Sequence, residues 1–131
     1  MTGYVGPIDT WTLQNAYFRQ IVFTATHAQL VVMCLQPREA IGEEMHADVD
    51  QFFRIEQGEA TVVFNGQEEH QVHEGDGALV PAGTHHNAIN SSAVKLLKLY
   101  TIYSPPNHLE GTVHRTKADV DAAEEIGRAH V

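Results

Sequence analysis

Nine histidines in 131 residues are the first chemical signal in this chain, since imidazole is both a common metal ligand and a proton carrier near neutral pH. Two of them, His85 and His86, are adjacent in the stretch Gly-Asp-Gly-Ala-Leu-Val-Pro-Ala-Gly-Thr-His-His-Asn-Ala-Ile-Asn, from Gly75 to Asn90. In an extended segment alternate side chains face opposite sides. His86 and Ala88 then face one way, and His85, Asn87 and Ile89 the other. One histidine of the pair points inward if one face of this strand lines an interior. Glu44 and His46 are two residues apart and share a face in the same way. Tyr100, Tyr103, His108 and His114 lie in or after the last long strand and could carry protons. Asp48 and Asp50 form an acidic corner, where aspartate most often serves a solvated turn.

Short strands must position these groups. Gly75 and Gly77 flank Asp76 in a tight entry turn, Ala78 to Val80 is a brief buried run, and Pro81-Ala82-Gly83 breaks the ladder. Upstream, the pattern predicts strands over Tyr17–Thr24, Gln29–Gln36, Glu43–Ala47, Gln51–Glu56 and Ala60–Phe64. Asn65-Gly66 is a strong hairpin signal, with Gln67–Val72 as the return strand. Val94–Tyr103 reads as the longest strand. Residues 1–16 form an N-terminal arm expected to be irregular, 17–104 a barrel, and 105–131 a C-terminal loop and tail. In that tail Thr116 is expected to cap a helix running to Ala129. Many short strands separated by turn signals imply an all-β barrel or sandwich.

Composition narrows the class of function. The length suits one domain with a real core. A formal net charge of −9 argues against nucleic acid and anionic membrane surfaces as partners. No apolar run is long enough for a membrane span. Met1 to Asp9 has no basic start followed by an apolar block, so no signal peptide is expected. Cys34 is the single cysteine, which excludes an internal disulfide and fits a reducing cytoplasm. Its neighbours, Leu-Val-Val-Met-Cys-Leu, mark it as a small core hydrophobe.

Gly75, Pro81, Gly83, His86 and Asn90 match the second cupin motif, G-x5-P-x-G-x2-H-x3-N, at every fixed position, and the chain resembles the cupin superfamily. The histidine of that motif is a metal ligand in the family, which implies this role for His86. The first cupin motif is matched less well. His46 and Gly58 fall on its second histidine and closing glycine. Glu44 stands at the first histidine position, Gln51 at the glutamate position and Arg38 at the leading glycine. The resemblance therefore implies a Glu44, His46, Gln51, His86 site for a divalent metal, with Gln51 the least typical ligand. A mixed nitrogen and oxygen donor set suits Zn, Fe, Mn, Co or Ni. Residues 40 to 118 also resemble small bacterial cupins often labelled mannose-6-phosphate isomerase-like, although Arg38, Arg54, Lys95 and Lys98 are too scattered to form a phosphate site.

The resemblance implies a cupin jelly-roll barrel, closed by a short C-terminal helix or tail, that dimerises and holds one small molecule beside the metal. Three functions fit. The first is a metal-dependent isomerase, epimerase or lyase acting on a small polar molecule, with Glu44 or a tyrosine such as Tyr100 moving a proton. The second is an Fe, Mn or Ni dioxygenase. The third is a binding or sensing module without turnover.

Overall fold

A computed structural model of the chain describes residues 2–108 and 111–121. Its strands are β1 (Arg19–Thr24), β2 (Gln29–Leu35), β3 (Asp50–Gln57), β4 (Glu59–Phe64), β5 (Glu68–His73), β6 (Gly77–Val80), β7 (His86–Asn90), β8 (Leu97–Ser104) and β9 (Val113–His114). They form two antiparallel sheets, one in the order β6-β3-β8-β2-β1-β9 and one in the order β5-β4-β7. This is the all-β jelly roll that the sequence implied. Among the described residues no helix is long and apolar enough to cross a membrane.

Strand register decides what lines the interior. Gln29, Tyr103, Gln51 and Val80 lie side by side across β2, β8, β3 and β6. The row below is Val31, Thr101, Phe53 and Ala78, followed by Met33, Leu99 and Ile55. The smaller sheet contributes Phe64 opposite His86, Val62 opposite Ala88, and Ala60 opposite Asn90. One end of the barrel is thus filled by buried aliphatic and aromatic side chains. Each such side chain contributes about 1.5–3 kcal/mol when fully buried. The other end is lined by polar groups, and it is there that the histidines lie. Cys34 is buried at 2% exposure, and burial pushes its thiol up, as befits a core hydrophobe.

Two motif residues shape the backbone at the apolar end. Gly58 adopts φ +93°, and a Cβ there would meet the Leu96 carbonyl oxygen at 2.6 Å. No other residue type fits this turn without displacing main chain. Asn90 is fully buried, and its Nδ2 reaches the carbonyl oxygens of Leu35, Gln36 and Lys95 at 3.3, 3.1 and 2.7 Å. Its Oδ1 accepts the Ser92 amide at 3.0 Å. One side chain thereby ties the exits of β2 and β7 to the entrance of β8.

The structure departs from the expected elements in three places. The N-terminal arm contains a helix, α1 (Ile8–Gln14), rather than irregular chain. At 7 residues it is too short to show a hydrophobic period. It is held by a buried Thr12, which donates to the Ile8 carbonyl, by Asn15, which caps the turn into Tyr17, and by Lys98 of β8, whose ammonium donates to the Leu13 carbonyl. Glu43–Ala47 is not a strand. A single isolated bridge, Glu44 to His86, pairs this segment with β7, and another, Ala40 to Ile89, lies just before it. The last long strand begins at Leu97 instead of Val94, because Asn90 and Ser92 hold residues 91–95 in a turn. Thr116 does cap a helix, its hydroxyl accepting the Asp119 amide at 3.1 Å while Asp119 Oδ2 accepts the Thr116 amide. Residues 117–121 are helical, and the predicted continuation to Ala129 lies outside the described residues.

Candidate metal centre and its surroundings

Glu44 reaches the site through its backbone. Its N–H donates to the His86 carbonyl and its carbonyl accepts the His86 N–H, both at 2.8 Å. A pair that exchanges both bonds places its two side chains on the same face. His46, two residues on, is steadied by its carbonyl, which accepts the Gly83 amide at 2.8 Å. Gly83 adopts φ +83°, the left-handed turn that Pro81-Ala82-Gly83 was expected to need. Asp50 is a turn aspartate that holds this loop, accepting the Ala82 amide at 2.8 Å. The result gathers one donor atom each from Glu44, His46 and His86 within 4.8 Å of one another. His86 is the inward member of the histidine pair, whereas His85 is exposed beside Glu43.

Gln51 joins this group from β3. Its Nε2 donates to Thr101 Oγ1 at 3.1 Å, and Thr101 in turn donates to the Phe52 carbonyl at 2.9 Å. That chain assigns the amide orientation and aims Gln51 Oε1 at His86 Nε2, 3.0 Å away. The other ring nitrogen, Nδ1, lies 3.1 Å from the Thr84 carbonyl. Two oxygen acceptors therefore flank an imidazole that has only one N–H when neutral. His86 and Gln51 could together hold a cation, which would take up both lone pairs. His46 Nε2 is 3.0 Å from Glu44 Oε2, yet it is buried without a hydrogen-bond partner among the described residues. Both pairs, His86 with Gln51 and His46 with Glu44, lie close enough that their donor atoms could be held by one divalent cation. The donor set fits a divalent metal.

Electrostatics keep the carboxylate ready. Burial alone would raise Glu44, but contact with His46 and the charges of Arg19, His46 and His86 hold it below the usual carboxylate range. Tyr103 stands beside this group, its ring 6.0 Å from that of His46. Burial raises its hydroxyl well above the ordinary phenol range, despite the nearby Arg19 guanidinium, so it stays protonated. Tyr100 is not brought to the site. It pairs with Val32 and Arg54 on the outer face of the large sheet, and its ring packs against Phe52. The odd offset between Tyr100 and Tyr103 puts them on opposite faces.

Two further residues belong to this end of the barrel. Arg19, on β1 opposite Met33, is only 4% exposed. Its Nη1 donates to His114 Nδ1 at 3.4 Å. His108 stacks edgewise on Tyr103, with ring centroids 5.1 Å apart. It is held there because Gln29 accepts the Asn107 and His108 amides and donates to the His108 carbonyl. The sequence pattern named His108 but not Arg19. An arginine inside a strand of aromatic and β-branched residues was the available signal.

Burial pushes His108 down to about 4, with Arg19, His114 and His46 adding to the effect and Glu44 opposing it. The unfolded residue titrates near 6.5, so acid favours the unfolded chain. The stability tied to a neutral His108 is complete above pH 6.5 and is lost as pH falls toward 4. Discounted for its partly open position, this amounts to roughly 1–2 kcal/mol. Denaturant titrations of metal-free protein at pH 7 and pH 5 should show a smaller acid loss in His108→Gln than in wild type. Parallel losses would sink this assignment.

Comparison with known proteins agrees with the geometry. Residues 31–103 match the family described as Cupin domain. The chain is 46% identical over 127 residues to the uncharacterized protein YrkC of Bacillus subtilis, covering 93% of this chain and 68% of that protein. The crystal structure of BH2720 from Bacillus halodurans superposes with a TM-score of 0.88 at 40% identity, over 91% of this chain and 93% of that one. A predicted oxalate decarboxylase from Thermotoga maritima superposes with a TM-score of 0.55 at 20% identity, over 60% and 66% of the two chains, a likeness of fold. A jelly roll whose second motif is complete and whose polar end gathers Glu44, His46 and His86 agrees with these matches, and the chain belongs to the cupin family.

Proposed function

We propose that this cupin is an enzyme acting on a small polar carbonyl compound, with a divalent metal held by Glu44, His46 and His86 and with Gln51 as a fourth, neutral donor. The observation that carries the reading is the frustrated imidazole of His86, set between two acceptors beside the close pair of His46 Nε2 and Glu44 Oε2. When bound, the metal supplies Lewis-acid polarisation of a carbonyl or hydroxyl oxygen. The protein's own groups do the rest. The protonated Tyr103 hydroxyl donates a hydrogen bond to an oxygen that gains negative charge, and Glu44, kept ionised, accepts a proton. Thr84 and Thr101 fix the orientations of His86 and Gln51. This supports isomerase, epimerase or lyase chemistry.

The test is solvent exchange. Metal-loaded protein in D2O, kept anaerobic with a panel of hydroxyketones and oxo acids, should place deuterium beside the carbonyl of a substrate, read by NMR. Tyr103→Phe should slow that exchange by ~10–100-fold, while Tyr100→Phe should leave it within about twofold. Absence of exchange and of product across the panel would reject the Lewis-acid reading.

A second reading rests on the donor types. Two histidines and one carboxylate are the set that non-haem Fe(II) oxygenases use. Oxygen uptake by iron-loaded protein in step with substrate loss, and no reaction without oxygen, would favour it.

A further inference from the structure

We propose that Arg19 and His108 form an anion subsite that holds the carboxylate of a small organic acid next to the metal centre. The inference rests on the metal reading above and names the substrate class for that site.

The argument begins with the cost of Arg19. A guanidinium carries five N–H donors and cannot lose its charge, so burial at 4% exposure demands partners. His114 accepts from one donor, and the Tyr103 hydroxyl lies against the group. Among the described residues no carboxylate lies within 4.0 Å of it. Its Nε is buried with no partner at all. Among the described residues four buried side-chain atoms lack a hydrogen-bond partner: Tyr4 Oη, Arg19 Nε, His46 Nε2 and His108 Nε2. The three nitrogens all belong to the polar end of one barrel. The rings of His46 and His108 flank that of Tyr103, and Arg19 meets the Tyr103 hydroxyl.

Charge points the same way. Arg19 and Glu44 balance each other in the metal-free protein. A divalent ion would add two positive charges beside these buried groups, and an anion would offset them at close range. A carboxylate suits the planar guanidinium fork, and a second oxygen on the neighbouring carbon would lie toward the ligand cluster. Phosphate fits less well. It carries more charge to desolvate, and among the described residues Arg19 is the one buried guanidinium, since Arg38, Arg54 and Arg115 are exposed.

The experiment uses the full chain loaded with Co(II), whose visible spectrum reports changes in its ligands. Metal content is measured first in wild type, Arg19→Gln, Arg19→Lys and His108→Gln. Each protein is then titrated with pyruvate, oxalate, neutral 2,3-butanedione and inorganic phosphate. Wild type should bind at least one of the two carboxylates more tightly than phosphate. Arg19→Gln should weaken that binding by ~30-fold or more and leave 2,3-butanedione within about threefold. Arg19→Lys keeps the charge without the fork and should weaken it by ~5–10-fold, which serves if the glutamine variant does not fold. His108→Gln should weaken it by ~3–10-fold. Equal carboxylate binding in wild type and the Arg19 variants would overturn the proposal, as would tighter binding of phosphate or no carboxylate binding at full cobalt occupancy. Failure to hold cobalt in wild type would instead reject the metal reading on which this one rests.

Discussion

Elemental analysis of protein purified without a metal-binding tag should find about one equivalent of divalent metal in wild type and less than ~0.1 equivalent in His86→Ala or His46→Ala. Loss of even a group that only orients a ligand costs 10–100-fold in metal affinity, and removal of a donor atom costs at least as much. The His86 variant also leaves Gln51 Oε1 facing a void, so no neighbouring side chain replaces the lost nitrogen. His85→Ala is the matched control, since that ring is exposed beside Glu43. It should keep full occupancy. Gln51→Ala should fall between, because a neutral carbonyl is the weakest of the four donors. Wild-type protein that stays empty after reloading with Fe, Mn, Ni, Co and Zn would remove the basis for both enzyme readings.

The second large effect is expected far from the chemistry. Asn90→Ala should lower stability by roughly 3–5 kcal/mol, a drop of about 10–20 °C in Tm for a domain of this size. The two amide hydrogens of this fully buried side chain are shared among three carbonyl oxygens, and its oxygen accepts one amide. Its removal leaves these groups without that partner and opens a small void. Ser92→Ala, which loses only the hydroxyl that accepts from Val94 and Lys95, should cost about 1 kcal/mol. Calorimetry of the two variants decides this. A shift under about 3 °C for Asn90→Ala would show that the loop is held by other contacts.

What was legible in the chain follows the range of the forces involved. Gly75, Pro81, Gly83 and Asn65-Gly66 act within a few residues, so their turns can be read directly. Parity within one short strand showed that one histidine of the pair faces inward, and the match to the second cupin motif placed that role on His86. Tyr100 and Tyr103 were harder, because parity along β8 depends on its register against β2 and β3, which no local signal fixes. Arg19 escaped notice for the same reason. Its neighbours suggest a strand, but only pairing with Met33 and His114 shows that it faces inward. His108 was seen as a residue and not as a place, since Gln29 positions it from 79 positions away. Helix α1 was missed because propensity over 7 residues is weak and packing decides.

The main-chain exchange between Glu44 and His86 has a bearing on how such proteins diversify. Two hydrogen bonds of 2.8 Å set the spacing of these positions, and neither bond depends on which side chains stand there. The metal's surroundings can therefore change by substitution while the frame that spaces them stays intact. Glutamate at 44 and glutamine at 51, both departures from the usual cupin pattern, are substitutions such a frame tolerates. Selection for a different ion, or a different acid, then works on side chains alone, one codon at a time.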